Sequence, residues 1–182
     1  KNCELKIKNV NINDSRIGYI KVLNKMGAKI KITNLKTKYG ERQADIFVKS
    51  QANLKNINCP PNLNSNLIDE FLIMFLVAAK AKGVSSFKNL DELNKKESPR
   101  LKLGSKILNK MGIKTILTKN SIKIYGNPNL KINRKILINK YFKDHRIFMT
   151  SVIASLVFNG KWIIDDALCY KSSFPSFLKI IQ

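Results

Sequence analysis

Three short stretches of this sequence hold side chains whose types and spacing could do chemistry together. Asp69 precedes an apolar run, so it falls where a helix begins. A carboxylate there, within hydrogen-bond reach of a hydroxyl, is the right kind of group to take its proton. An Asp at a helix start is more commonly a cap or a partner of the helix dipole, and its neighbour Glu70 reads as structural. Lys96-Glu97-Ser98-Pro99-Arg100 reads as a loop entering a helix, with Ser98 as N-cap and Pro99 at the first helical position. Arg100 then sits in the first turn beside free backbone N–H groups, a setting suited to phosphate or carboxylate. Lys95-Lys96-Glu97 on their own are what a solvated charged loop contains. Asp144-His145-Arg146 opens a second apolar helix. An Arg in a first turn opposes the dipole and needs a compensating anion. Asp144 could supply it in a structural pair, or a bound anion could, gripped bidentately. His145, the one histidine, suits catalysis or helix capping and packing equally.

The elements that must position these residues repeat along the chain. Leu23-Asn24-Lys25-Met26-Gly27 recurs as Leu108-Asn109-Lys110-Met111-Gly112, each copy ending an amphipathic stretch at a Gly. β-Branched runs follow, and Ala28 to Thr33 and Ile113 to Thr118 read as strands. Two apolar helices begin at Asp69-Glu70 and Asp144-His145-Arg146 and stop near Gly83 and Gly160, with strands expected from Val84 to Leu90 and Lys161 to Ile164. Further strands are expected at Glu4 to Val10, Ala44 to Lys49, Ile122 to Tyr125 and near Ile136 to Asn139. Cys59 to Asn66, with two Pro and three Asn, is a loop by composition. No linker divides the chain, which therefore reads as one α/β domain.

Composition narrows the function classes. With 182 residues, 44% of them hydrophobic, the chain can bury a real core. Its longest apolar run, Phe71 to Ala79, is about half of what a membrane-spanning helix needs. The opening Lys-Asn-Cys-Glu-Leu-Lys-Ile alternates like a strand and reads as the middle of a longer protein. Three scattered cysteines (Cys3, Cys59, Cys169) and one His argue against a zinc site and for a reduced, cytoplasmic setting. The net charge of +22 invites nucleic acid. Yet of 34 basic residues only Arg16, Arg42, Arg100, Arg134 and Arg146 are arginines, and the lysines form no block or stripe.

In order and spacing, the segments Leu67-Ile68-Asp69-Glu70, Lys95 to Leu101, Asp144 to Met149 and Ser173-Phe174-Pro175-Ser176-Phe177 resemble those of 5-enolpyruvylshikimate-3-phosphate (EPSP) synthases. Asn13-Asp14-Ser15-Arg16-Ile17-Gly18 and Met26-Gly27-Ala28 resemble family segments ahead of them. The likeness covers essentially the whole chain, and Asp165-Asp166 with Ser-Phe-Pro looks most like the alphaproteobacterial type. It implies the inside-out α/β barrel of enolpyruvyl transferases, with about two βαββαβ-like repeats. Residues 1–182 would form the C-terminal domain, without the N-terminal one. The implied reaction moves the enolpyruvyl group of phosphoenolpyruvate onto the 5-hydroxyl of shikimate 3-phosphate, in the shikimate pathway to aromatic amino acids. By this resemblance Asp69 binds that hydroxyl and is the base, Lys96 touches shikimate 3-phosphate, and Glu97 helps protonate C3. Arg100 and Arg146 hold phosphoenolpyruvate. No metal or organic cofactor is implied; the partners are the two substrates and the N-terminal domain, with no nucleic acid and no membrane.

The chain departs from the family pattern at Pro99, where members carry an acidic residue, at Leu72, where Pro is usual, and at Ser172, where some members carry Lys. Lys171 lies one position earlier. The sister enzyme acting on UDP-N-acetylglucosamine is a rival of the same fold, disfavoured by the Lys-Glu-Ser-x-Arg and Asp-His-Arg segments. A non-catalytic basic module that binds nucleic acid is the rival of another class. Without the N-terminal half, which carries further phosphate-gripping residues in the family, the isolated chain is expected to turn over little or nothing.

Overall fold

The computed structural model describes residues 3–51 and 53–181; Lys1 and Asn2 of the strand-like opening lie outside them. Strands β1 (Glu4–Asn11), β2 (Lys29–Lys38) and β3 (Glu41–Lys49) form a sheet in the order β1-β3-β2, with β3 antiparallel to both neighbours. Strands β1 and β2 therefore run the same way, and helix α1 (Gly18–Lys25) is the crossover between them. The same device recurs with β4 (Gly83–Phe87), β5 (Thr115–Leu117) and β6 (Ile122–Gly126), ordered β4-β6-β5 and crossed by α3 (Arg100–Met111). Strands β7 (Lys135–Ile138) and β8 (Lys161–Ile164) pair in parallel across α4 (His145–Phe158). Among the described residues the other α-helices are α2 (Phe71–Lys80), between the first two sheets, and a short α5 (Phe177–Ile181).

The expected order of strand, helix, strand, strand, helix, strand is found, with two refinements. Residues 54–59, to which the sequence assigns no strand, lie parallel to β4 through bridges Lys55–Lys82 and Asn58–Ser86. They take the place in the first round that β7 takes in the second, and β4 closes one round while opening the next. The segment is short and carries two Asn, so no period of two stands out. Strand β2 also runs on to Lys38, because Tyr39-Gly40, both at positive φ, turn it tightly into β3. The loop before Asp69 contains two 3-10 turns, Pro61–Leu63 and Ser65–Leu67.

The repeated Leu-Asn-Lys-Met-Gly is a repeated helix stop. Gly27 and Gly112 both take φ 92°, and each N–H bonds 3.0 Å back to Asn24 O or Asn109 O. Helix α2 is apolar all round and correspondingly buried. Its Phe71 and Phe75 meet Phe87 of β4 with ring centroids 6.0 and 5.3 Å apart. Burying a ring of this size contributes about 1.5–3 kcal/mol, so α2 is held by its core contacts without a side-chain cap at Glu70. A smaller core of Ile12, Ile17, Ile20, Ala44 and Ile46 joins α1 to the first sheet.

One carboxylate pins that sheet. Asp45 on β3 accepts the Asn9 N–H (3.1 Å) and Asn34 Nδ2 (2.8 Å), and pairs with Lys6 (3.1 Å). Asn9 and Asn34 are both at positive φ, where β1 and β2 shift register against β3. The bonds from Asn34, Asn9 and Lys6 hold the Asp45 carboxyl down at about 2. A carboxyl lowered in the fold stabilises above its unfolded value, near pH 4, and that support is lost as pH falls through about 2. Asp45→Asn is therefore expected to be less stable than the parent at neutral pH, with the difference narrowing as pH falls from about 4 towards 2, as urea unfolding across that range would show. Equal stability at pH 7 would refute it.

Cys3, Cys59 and Cys169 are unpaired. Burial pushes the Cys59 thiol up to about 11, leaving it protonated and inert at neutral pH. No helix among the described residues is long and apolar enough to cross a membrane.

Candidate active site

The starts of α2, α3 and α4 converge on one cluster of acids and arginines. At its centre, Asp144 occupies the N-cap of α4 in extended backbone, and its Oδ1 accepts the Arg146 N–H at 2.9 Å. Its other oxygen accepts the Ser98 hydroxyl at 2.7 Å and Arg100 Nε at 2.9 Å, while Arg100 NH2 reaches Oδ1 at 3.3 Å. The forked Arg–carboxylate pair is closed from water, with the Arg100 side chain 4% exposed and that of Asp144 fully buried. Burial pushes the Asp144 carboxyl up, but the bonds from Arg100 and Ser98, the Arg100 charge and the Arg146 N–H together hold it below its usual range.

This corrects the expected role of Ser98. Helix α3 starts at Arg100 with Pro99 in the cap position, and no side chain caps it. The Ser98 hydroxyl donates instead to the Asp144 carboxylate 46 residues away, and this charge-assisted bond orients the side chain towards the start of α4 and not towards its own helix.

Around this core the remaining expected residues gather. Arg100 NH2 also lies 3.3 Å from Glu97 Oε2, and the same oxygen is 3.0 Å from His145 Nδ1. Arg146 donates from NH1 to the Asp69 carbonyl at 2.9 Å and places NH2 3.5 Å from Asp69 Oδ2. The anion that offsets Arg146 at the dipole end is thus Asp69, while Asp144 serves its backbone. Asp69 precedes α2 and does not cap it; its side chain is 3.9 Å from Arg100 NH1 and 3.3 Å from Arg16 NH2. Lys96 is exposed and has no ion-pair or hydrogen-bond partner among the described residues. The structure therefore brings together Asp69, Glu97, Arg100 and Arg146, with Lys96 open at the edge.

The sequence by itself points to no role for Arg16 and leaves Asp144 and His145 with two roles each. The family-like loop Asn13–Gly18 was the available signal for Arg16; nothing local signals that Asp144 organises the cluster. Three carboxylates (Asp69, Glu97, Asp144) face three guanidiniums (Arg16, Arg100, Arg146), so the cluster balances its own charge. An incoming anion must borrow a guanidinium from a carboxylate. Arg16 and Arg146, 61% and 31% exposed, are the accessible ones. Beside them, burial and the Asp69 charge raise the half-buried Glu70 carboxyl, with Arg146 and Arg16 opposing. Glu97, Asp144 and His145 present ligand atoms within 4.8 Å of one another. Arg100 already occupies both carboxylates, and a metal ion there would face its buried charge, so these residues do not fit one.

The architecture is that of enolpyruvyl transferases. It superposes on the enolpyruvyl transferase NikO from Streptomyces tendae with a TM-score of 0.68 at 14% identity, over 97% of this chain and 37% of that one, a likeness of fold. EPSP synthase from Acinetobacter baumannii matches more closely, with a TM-score of 0.92 and 32% identity over 99% of this chain and 41% of that one. The profile of the EPSP synthase (3-phosphoshikimate 1-carboxyvinyltransferase) family matches residues 1–181, and the chain belongs to this family. It is 40% identical to the 3-phosphoshikimate 1-carboxyvinyltransferase of Thermodesulfovibrio yellowstonii over 179 residues, and 38% identical to that of Clostridium tetani over 180. The chain spans 41% and 40% of the length of these two relatives.

Proposed function

We propose that the chain is the C-terminal domain of an enzyme that transfers the enolpyruvyl group of phosphoenolpyruvate to the 5-hydroxyl of shikimate 3-phosphate. The observation that carries this reading is the convergence of Asp69, Glu97, Arg100 and Arg146, from three separate helix starts, on one cluster of ion pairs. Membership of the family and the relatives' names supply the substrates.

In this reading Asp69 accepts the proton of the 5-hydroxyl as its oxygen attacks C2 of phosphoenolpyruvate. Glu97 delivers a proton to C3, giving a tetrahedral adduct. Return of a C3 proton to the Glu97 carboxylate with cleavage of the C2–O bond to phosphate then yields the enolpyruvyl ether and free phosphate. Arg146, swinging from Asp69, grips the phosphoenolpyruvate anion, and Arg100, with its Nε still held by Asp144, turns NH2 from Glu97 to stabilise charge on the donor end. Lys96 reaches shikimate 3-phosphate from the rim. The partner in this reading is an N-terminal domain that makes up the length of the relatives, and the three free thiols suit a reducing cytoplasm.

Extended to the length of its relatives, the protein is expected to release phosphate from phosphoenolpyruvate and shikimate 3-phosphate together. Release with UDP-N-acetylglucosamine alone would overturn the reading in favour of the sister enzyme. Tight, salt-sensitive binding of RNA or DNA that survives Asp69→Ala, with no turnover in the parent protein, would overturn it in favour of a binding module.

A further inference from the structure

The loop Asn13–Ile17 has no part in the reaction drawn above, yet it is built to deliver one side chain. Asn13 Oδ1 accepts the Ser15 N–H at 3.0 Å and its hydroxyl at 2.8 Å, and the Arg16 N–H returns to the Asn13 carbonyl at 2.8 Å. The next loop is clamped onto it: Asn66 Nδ2 donates to the Asp14 carbonyl at 2.8 Å. Gly18 makes the approach possible, since a Cβ there would lie 2.9 Å from the Asn66 backbone. Asn66 belongs to the 3-10 turn that leads into Asp69, so the two loops share one frame and Arg16 is held over Asp69.

The Asp69 carboxylate is loaded unevenly. Oδ2 meets Arg16 NH2 at 3.3 Å and Arg146 NH2 at 3.5 Å, whereas among the described residues Oδ1 has only Arg100 NH1, at 3.9 Å. The terminal torsion of Asp is soft and roughly two-fold, so partners on one oxygen are what orient it. We propose that Arg16 is a positioning residue: with Arg146 it holds Oδ2 and leaves Oδ1 as the oxygen that receives the hydroxyl proton. The inference rests on Asp69 being the proton acceptor. Arg146 is expected to turn towards the bound anion, and Arg16 is then the partner that keeps the carboxylate in place. An exposed ion pair adds little to folding stability, so its effect on rate is separable from any effect on the fold.

The test uses the protein extended to the length of its relatives, with Arg16→Gln, Arg16→Lys and Gly18→Ala, phosphate release as the assay and thermal unfolding as the control. Arg16→Gln is expected to lower kcat about 10–100-fold, with KM for both substrates little changed and the melting temperature retained. Arg16→Lys restores part of the rate, and Gly18→Ala loses rate like Arg16→Gln, because it lifts the loop away. Unchanged kcat in Arg16→Gln, with Asp69→Asn inactive, overturns the inference and leaves the proposed function standing. A rise in KM alone makes Arg16 a substrate ligand and also overturns it. So does a rate loss that follows the melting temperature and is not relieved by lysine. If the parent protein releases no phosphate from phosphoenolpyruvate and shikimate 3-phosphate, the proposed function fails and the inference with it.

Discussion

Asp144→Ala is expected to destabilise the chain by about 3–5 kcal/mol, the cost of stranding a buried charge. The stranded charge is Arg100, whose forked contact with Asp144 is the only fully enclosed ion pair of the cluster. The same change removes the cap of α4 and the acceptor of the Ser98 hydroxyl. At about 2–4 °C per kcal/mol for a chain of this size, the melting temperature should fall on the order of 10 °C. Asp144→Asn keeps an oxygen for the cap but replaces the other acceptor with an NH2 facing Arg100 Nε and the Ser98 hydroxyl, so it too should be less stable than the parent. A carboxyl lowered by folding stabilises above its unfolded value and loses that support as pH falls below it. The penalty of Asp144→Ala should therefore shrink in acid. Urea unfolding at neutral and acid pH checks both statements; a loss under about 1 kcal/mol at pH 7 would show that Arg100 is satisfied by Glu97 and Asp69 alone.

The largest effect on activity is expected at Asp69. In the protein extended to the length of its relatives, Asp69→Asn should lower kcat by about 10²–10⁴, the range for removing a general base. Asparagine keeps the size and one oxygen of the side chain, so the fold should survive. The substitution also frees Arg16 and Arg146 from a carboxylate 3.3 and 3.5 Å away. KM for phosphoenolpyruvate should consequently stay level or fall while kcat collapses, a split that mere disruption of the site would not give. Retention of kcat would remove Asp69 from the proton transfer and with it the mechanism proposed above.

Locally determined features are legible in the sequence. The two Leu-Asn-Lys-Met-Gly copies end helices because Gly at φ 92° closes the last turn, a property of the residue itself. Helix α4 begins at its Asp144 cap, and β8 spans Lys161–Ile164 as expected. The bridged segment 54–59 was not legible, because its pairing energy comes from β4 and not from its own pattern. The extension of β2 likewise depends on the Tyr39-Gly40 turn and on Asp45, which sits on the partner strand.

By itself the sequence determined which side chains are available and which helix starts display them: Asp69, Glu97, Arg100, His145 and Arg146 each stand at or just before a helix. Only the tertiary structure decided how they pair. Arg16 meets Asp69 across 53 residues, Arg100 meets Asp144 across 44, and Arg146 meets Asp69 across 77. Caps and turns act through neighbours in the chain and so can be read from spacing. A guanidinium in low dielectric takes the carboxylate that packing places nearest, and packing is a property of the whole core. Hence Ser98 serves Asp144 instead of its own helix, and Arg100 is forked on Asp144.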